Sequence, residues 1–385
     1  MILESLNAYS FELGPIRPPS EARSLLIRAT RNCPWNRCAF CPVYKTQKFE
    51  LRPVEEIEKD IQTARAISEE IRTLAWKMGY GGRLKDIAAM LCRSPRYNDS
   101  VRNVALWLYF DAESAFLQDA NSLIMRTPDL VRVIRALKAA FPGLTRITSY
   151  ARSKTTAKKS LEELKELYEA GLSRLHVGLE TGDDDLLRYM QKGVTAEEHV
   201  EGGRRVKESG ISLCEYVMPG LGGKNMSKEH VEQTARVLNE IDPDYIRLRT
   251  LEVGEGMPLL QKLQEGDFKL QTEDEVVEEI GALVERLDCR SELKSDHILN
   301  LLSEVEGKLP QDKEKMLAII NRYLALPLSE RINFQLGRRA GYYERLDELQ
   351  DAYKHEKVEQ IIKRIESENS GGVEEAIYTL KTRFI

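Results

Sequence analysis

Apolar positions along the chain fall into two alternating rhythms. Ser24–Ala29 (SLLIRA) is a short apolar run that predicts a buried strand. From Pro53 to Met78 the rhythm turns helical. Pro sits near the start, Glu55, Glu56 and Glu58 crowd the first turn, and Ile57, Ile61, Ala64 and Ile67 recur at helical spacing. Gly79–Ser100 begins rich in Gly and Arg and becomes short and helical, which marks an insertion, and Val101–Phe110 reads as a helix. Ser114–Gln118 predicts a second strand, and Thr127–Ala140, with Pro128 in its first turn, a helix. The alternation is then regular. Strands are expected at Thr145–Tyr150, Arg174–Leu179, Ser212–Met218 and Tyr245–Leu251, with helices at Ser160–Ala170, Ala196–Ser209 and Lys228–Glu240.

Strands separated by helices of about 10–15 residues imply βαβ units and a parallel sheet. The fold class expected is α/β, a partial (β/α)6 TIM-like barrel with a helical C-terminal domain. Residues 1–23 form an N-terminal segment, 24–255 the barrel with a helical insertion at about 79–112, and 256–385 the C-terminal domain. Past Met257 the stretches Glu273–Leu287, Lys313–Leu324 and Ala340–Lys381 are helical and highly charged, and no further strand is expected.

Composition narrows the function. With 42% hydrophobic and 31% charged residues in 385, the balance is that of a soluble globular protein. A formal net charge of −5 disfavours a nucleic-acid partner, whose affinity rests mainly on neutralised phosphates. No run of about 18 apolar residues exists to span a bilayer. Met1–Pro19 lacks the charged-then-apolar layout of a secretion signal, so a cytoplasmic location is expected.

Of the six cysteines, three lie within nine positions: Asn32-Cys33-Pro34-Trp35-Asn36-Arg37-Cys38-Ala39-Phe40-Cys41-Pro42. This is not the spread of a disulfide framework. Thiolates are soft ligands suited to iron–sulfur clusters or zinc. Three on one loop can hold three corners of a [4Fe–4S] cube and leave one iron open to a reactant. Structural zinc takes four ligands, so a zinc site here needs a distant fourth one.

On this loop the sequence resembles the radical S-adenosylmethionine (SAM) superfamily, and Phe40 before the last cysteine matches the usual pattern. Four residues separate the first two cysteines where three are commonest, a departure that bears on the subfamily. Gly178-Leu179-Glu180-Thr181-Gly182-Asp183-Asp184, with Leu186-Leu187 and Lys192-Gly193, is similar to the fourth-strand segment of the elongator, methylthiotransferase and oxygen-independent coproporphyrinogen oxidase branch. The resemblance covers roughly residues 24–251. It implies an enzyme with a [4Fe–4S] cluster on Cys33, Cys38 and Cys41 and SAM at the open iron. Reductive cleavage of SAM would give a 5′-deoxyadenosyl radical that abstracts hydrogen from a small-molecule substrate. A low-potential flavodoxin or ferredoxin would supply the electron, and anaerobic conditions would protect the cluster.

The same resemblance nominates further residues. Glu180 and Thr181 would reach the ribose or amino group of SAM from the carboxyl end of a strand, where barrel active sites lie. Gln118, Asp119 and Asn121 occupy the second-strand segment that is glycine-rich in many relatives. Ser149 and Arg152 end the third strand. Arg247 and Arg249 alternate on the sixth, facing one side, where an inward Arg could bind the cofactor carboxylate. Cys214 and Tyr216 on the fifth strand are catalytic candidates, as is His297 in Ser295–Asn300, which reads as a capped helix start. Cys92 and Cys289 read as ordinary helix residues, and His176 as a satisfied core residue. The alternatives are a radical-SAM-fold binding protein such as a haem chaperone, and a radical methyl or methylene transferase.

Overall fold

A computed structural model of the chain describes residues 4–368 and 371–382. It divides into two compact units, the first made of Met1–Asn36, Thr46–Val177 and Glu201–Leu213, the second of Arg37–Lys45, Gly178–Val200 and Cys214–Ile385.

In the first unit the strands of the main sheet run parallel in chain order, as the alternation of strand and helix requires, while Thr30–Arg31 and Glu50–Leu51 form a separate antiparallel pair. β1 (Leu25–Arg28) pairs with β2 (Ser114–Gln118), Leu25 opposite Ala115 and Arg28 opposite Gln118. β2 pairs with β3 (Arg146–Ala151), and β3 with β4 (Leu172–Glu180) as far as Ala151 opposite Val177. The helices bury one stripe each. α1 (Val54–Lys77) turns Ile57, Ile61, Ala64, Ile67, Ile71 and Leu74 inward, and α4 (Thr127–Ala140) turns Leu130, Val133, Ile134 and Leu137 inward. Between them the insertion is helical, as α2 (Leu84–Arg93) and α3 (Asp99–Tyr109), with Asn98 capping α3. Glu21, fully buried, accepts two hydrogen bonds from Arg146 at 3.0 Å each and faces His176 Nε2 at 3.2 Å, so His176 is indeed a partnered core residue.

In the second unit β5 (Ser212–Val217) pairs in parallel with β6 (Tyr245–Leu248), Tyr216 opposite Arg247. The helices α5 (Gly223–Ile241), α6 (Pro258–Gln264), α7 (Glu273–Arg286) and α8 (Leu328–Arg339) belong mostly to this C-terminal stretch, which is helical as expected. It also holds two strands that were not expected. β7 (Glu292–Lys294) extends the sheet in parallel with β6, and β8 (Gly307–Lys308) turns back antiparallel on β7. Only Leu293 of β7 is buried, so the segment shows no apolar run to announce it. The α/β class with a mostly parallel sheet stands. Among the described residues no helix is long and apolar enough to cross a membrane.

Candidate functional site

The cysteine loop enters the second unit at Arg37 and is fixed there by its backbone. Ala39 donates to Met190 O at 2.8 Å and accepts from Leu259 N at 2.9 Å, while Lys45 Nζ donates to Cys38 O at 2.7 Å. Ala39 and Phe40 are buried in an apolar cluster with Leu186, Met190, Met218, Leu221 and Leu251, and half-buried Cys38 and Cys41 pack against it. The two thiols are thus carried on a packed mount rather than a loose loop.

The same unit gathers an ionic group at the ends of β4 and β5. Glu180 closes β4 in the left-handed region, φ 65°, and its carbonyl accepts from Met218 N at 3.0 Å. Its carboxylate meets Lys192 Nζ at 3.0 Å, both side chains being about nine-tenths buried (12% and 11% exposed). Gly178 leaves the room for this pair. A Cβ there would stand 2.3 Å from Glu180 Oε1 and 3.0 Å from Lys192 Nζ. Lys192 Nζ also lies 5.5 Å from the centre of the Phe40 ring. Glu215 on β5 is buried to 1% exposure, and neither carboxylate oxygen has a hydrogen-bond partner. Burial pushes its carboxyl well above the usual carboxylate range; Lys192 opposes that shift and the charge of Glu180 adds to it. Thr181, next to Glu180, is already engaged, its Oγ1 2.8 Å from His230 Nδ1. His230 in turn faces Glu279 at 3.7 Å, and burial holds its pKa below that of a free imidazole.

In the first unit the residues leading to Cys33 are tied to the end of β2. Asp119, fully buried, accepts from Arg28 Nε and Nη2 at 2.8 and 2.6 Å and from Asn32 N at 2.9 Å. Asn36 N–H points at Cys33 Sγ, 3.4 Å away. Gln118 clamps the N-terminal segment, accepting from Gly14 N and donating to Gly14 O and Ile16 O at 2.8–2.9 Å. Asn121 donates to Thr155 Oγ1 at 2.8 Å and accepts from Arg152 N at 3.1 Å, and Ser149 Oγ donates to Leu117 O at 3.1 Å. Arg152 lies over the Trp35 ring at 5.2 Å. Gln118, Asp119, Asn121 and Ser149 are therefore committed to holding backbone and neighbours in place.

On β6 the expected alternation ends early. The strand stops at Leu248, so Arg247 is buried and ion-paired with Asp296, whereas Arg249 is exposed. Ser295–Asn300 is a turn and not the start of a helix, because buried Asn300 spends its side chain on Thr250 and Leu248 O. Cys214 is buried and Tyr216 half-buried; Cys92 sits in α2, but Cys289 lies outside any helix, between α7 and β7.

The sequence profile of the radical SAM superfamily matches residues 27–238, just over half of the chain. The chain belongs to that superfamily. A tRNA uridine(34) acetyltransferase of Methanocaldococcus jannaschii is 26% identical over 126 residues, 31% of this chain and 22% of that one. A protein of the same organism named as a probable threonylcarbamoyladenosine tRNA methylthiotransferase is 33% identical over 88 residues, 22% of this chain and 21% of that one. The heme chaperone HemW of Bacillus subtilis is 20% identical over 180 residues, 46% of this chain and 47% of that one. The chain thus spans between about a fifth and about a half of the length of these relatives.

As a radical SAM protein the chain is an enzyme with a [4Fe–4S] cluster and SAM as cofactors. Its residues fit them. The three loop cysteines are in no disulfide and each is half-buried, which is a donor set suited to iron–sulfur ligation. Glu215 offers a buried carboxyl with no partner, beside the Glu180–Lys192 pair. In the sequence Lys192 stands only within the fourth-strand string, with no role assigned, and Glu215 carries no expectation. The available signal was a lone acid between the buried positions of Leu213–Val217.

Proposed function

We propose that the chain cleaves SAM reductively and directs the resulting radical to a hydrogen on a small-molecule substrate. The observation that supports this best is the buried Glu180–Lys192–Glu215 group in the unit that also carries Cys38, Phe40 and Cys41. Cys33, Cys38 and Cys41 would hold the cluster, which when bound supplies the electron that splits SAM into methionine and a 5′-deoxyadenosyl radical. The chain's own residues bind and shield. Glu180 would accept hydrogen bonds from the ribose or amino group, the more so because Thr181 is occupied by His230. Lys192 would present its ammonium to the cofactor carboxylate. Glu215, whose carboxyl burial pushes well above the usual carboxylate range, would face the cofactor from β5. The apolar cluster around Phe40, Met190 and Met218 would keep water from Cys38 and Cys41. Half-buried thiols leave an approach for an external flavodoxin or ferredoxin, in an anaerobic cytoplasmic setting.

A second reading, haem handling without turnover, is favoured by the likeness to HemW over 46% of this chain. Radical methyl or methylene transfer would be marked by S-adenosylhomocysteine. The test is anaerobic. Protein reconstituted with iron and sulfide is reduced with dithionite and given SAM, and 5′-deoxyadenosine is quantified beside Cys38→Ala. Deoxyadenosine that vanishes in the variant supports the proposal. An intact brown cluster that yields none overturns it, and a haem-dependent spectrum then points to the second reading.

A further inference from the structure

Beyond the carboxyl end of β6 the chain builds a rigid, positively biased turn. Asn300 Oδ1 accepts from Thr250 N at 3.1 Å and Thr250 Oγ1 at 2.9 Å, and its Nδ2 donates to Leu248 O at 2.9 Å and Ser295 Oγ at 3.1 Å. From the other side Arg339 donates to Ile298 O at 3.2 Å and Leu299 O at 2.9 Å while pairing with Glu273 at 2.8 Å. Ser295–Asn300 is thus pinned over a strand end, the place where βα enzymes keep their sites. Its charges do not balance. Arg339 is matched by Glu273, and Arg247, 8% exposed, by Asp296. Arg249 has no carboxylate partner among the described residues. Arg247 Nε and His297 Nδ1 are both buried without a hydrogen-bond partner. His297 is held neutral, its pKa brought down to about 4 by burial and by the charges of Arg249 and Arg339 against the pull of Asp296.

We propose that Arg247, Arg249 and His297 form a subsite for an oxyanion of the substrate, a carboxylate or a phosphate group. An oxyanion there would accept from the exposed Arg249 guanidinium in charge-assisted hydrogen bonds and satisfy donors that the fold leaves unmet. This rests on the reading of the chain as an enzyme acting at its strand ends, and adds to it that the substrate is anionic.

The test uses the whole reconstituted protein with SAM. The ring 1H–15N signals of His297, assigned with His297→Gln, are followed during titration with inorganic phosphate and separately with succinate, ionic strength being held with chloride. A saturable shift with either anion is expected, its affinity falling by roughly tenfold or more in Arg249→Gln and unchanged in the surface control Arg93→Gln. Saturation by phosphate alone or succinate alone tells which oxyanion the subsite takes. No saturable shift, or equal affinity in Arg249→Gln, overturns the inference. Deoxyadenosine measured on the same sample separates the two claims. If it forms while no anion binds, only the subsite fails; if the anion binds and none forms, only the enzymatic reading fails.

Discussion

Replacing Lys192 with Met keeps the stem that packs near Phe40 and removes the cation facing Glu180 and Glu215. Unit charges 3.0 Å apart attract by about 5 kcal/mol at an effective dielectric constant of about 20, and desolvation takes back part of that. Removing one partner of a buried pair leaves the other uncompensated and costs about 3–5 kcal/mol. That is the loss expected for Lys192→Met at about pH 8. Its pH dependence has a definite sign. Glu215 has a raised pKa in the folded protein, so its contribution to stability is fully present below the unfolded value of 4.5 and is lost as pH rises through the folded one. Lys192 opposes that shift, so without it the penalty grows with pH. Urea unfolding of the wild type, Lys192→Met and Lys192→Met/Glu215→Gln at about pH 5, 6.5 and 8 reads the effect. The single variant should be hurt most at high pH, and the added Gln should flatten the dependence. A loss below about 1 kcal/mol, or one that is equal at all three pH values, would refute the coupling of the three side chains.

Glu21→Gln tests the buried pair of the first unit. Burial pushes the Glu21 carboxyl up, but hydrogen bonds and charges from His176 and Arg146 bring it down to about 2. The shift from 4.5 is worth about 3 kcal/mol, present above about pH 4.5 and lost as pH falls towards 2, so the variant should lose that amount at neutral pH and little at acid pH. A variant as stable as the wild type at neutral pH would contradict this. Gly182→Ala would set a Cβ 2.3 Å from Gln233 O on α5, whose backbone must give way, at a cost of about 1–3 kcal/mol. Thermal unfolding should show the drop together with weaker SAM binding, since Glu180 lies two residues away; an unchanged Tm would rule the clash out.

Much of the fold is legible in the chain because each of the first six strands is bounded and mostly apolar. Leu25–Ile27 and Ala115–Leu117 are fully or nearly fully buried, and a run of that kind has few other places to go. β7 escaped because three residues with one buried Leu look like any charged loop; its place in the sheet comes from pairing with β6, which sequence does not display. Ser295–Asn300 misled for a related reason. Ser, Asp and Asn mark helix starts and turns alike, and here Asn300 is consumed by partners about 50 residues away in β6 and beyond. The cysteine loop and Glu180 were readable as local strings. Lys192 was visible only as part of a string, and its place against Glu180 depends on a left-handed residue at the end of β4. Alternation puts Arg249 on the face of Arg247 only in a strand that continues, and β6 stops at Leu248.

The clamp that Gln118 places on Gly14 and Ile16 also sets a timetable for biosynthesis. Phe11, Gly14 and Ile16 leave the ribosome well before their partners Ser100 and Gln118, which lie 89, 104 and 102 residues downstream. At about 5–20 residues per second the segment waits about 5–20 s before it can dock. In that interval the backbone groups of Phe11, Gly14 and Ile16 lack these partners and are open to capture by chaperones or proteases. Whatever is fused ahead of the segment in expression work is carried through the same wait, and so bears on yield before it bears on activity.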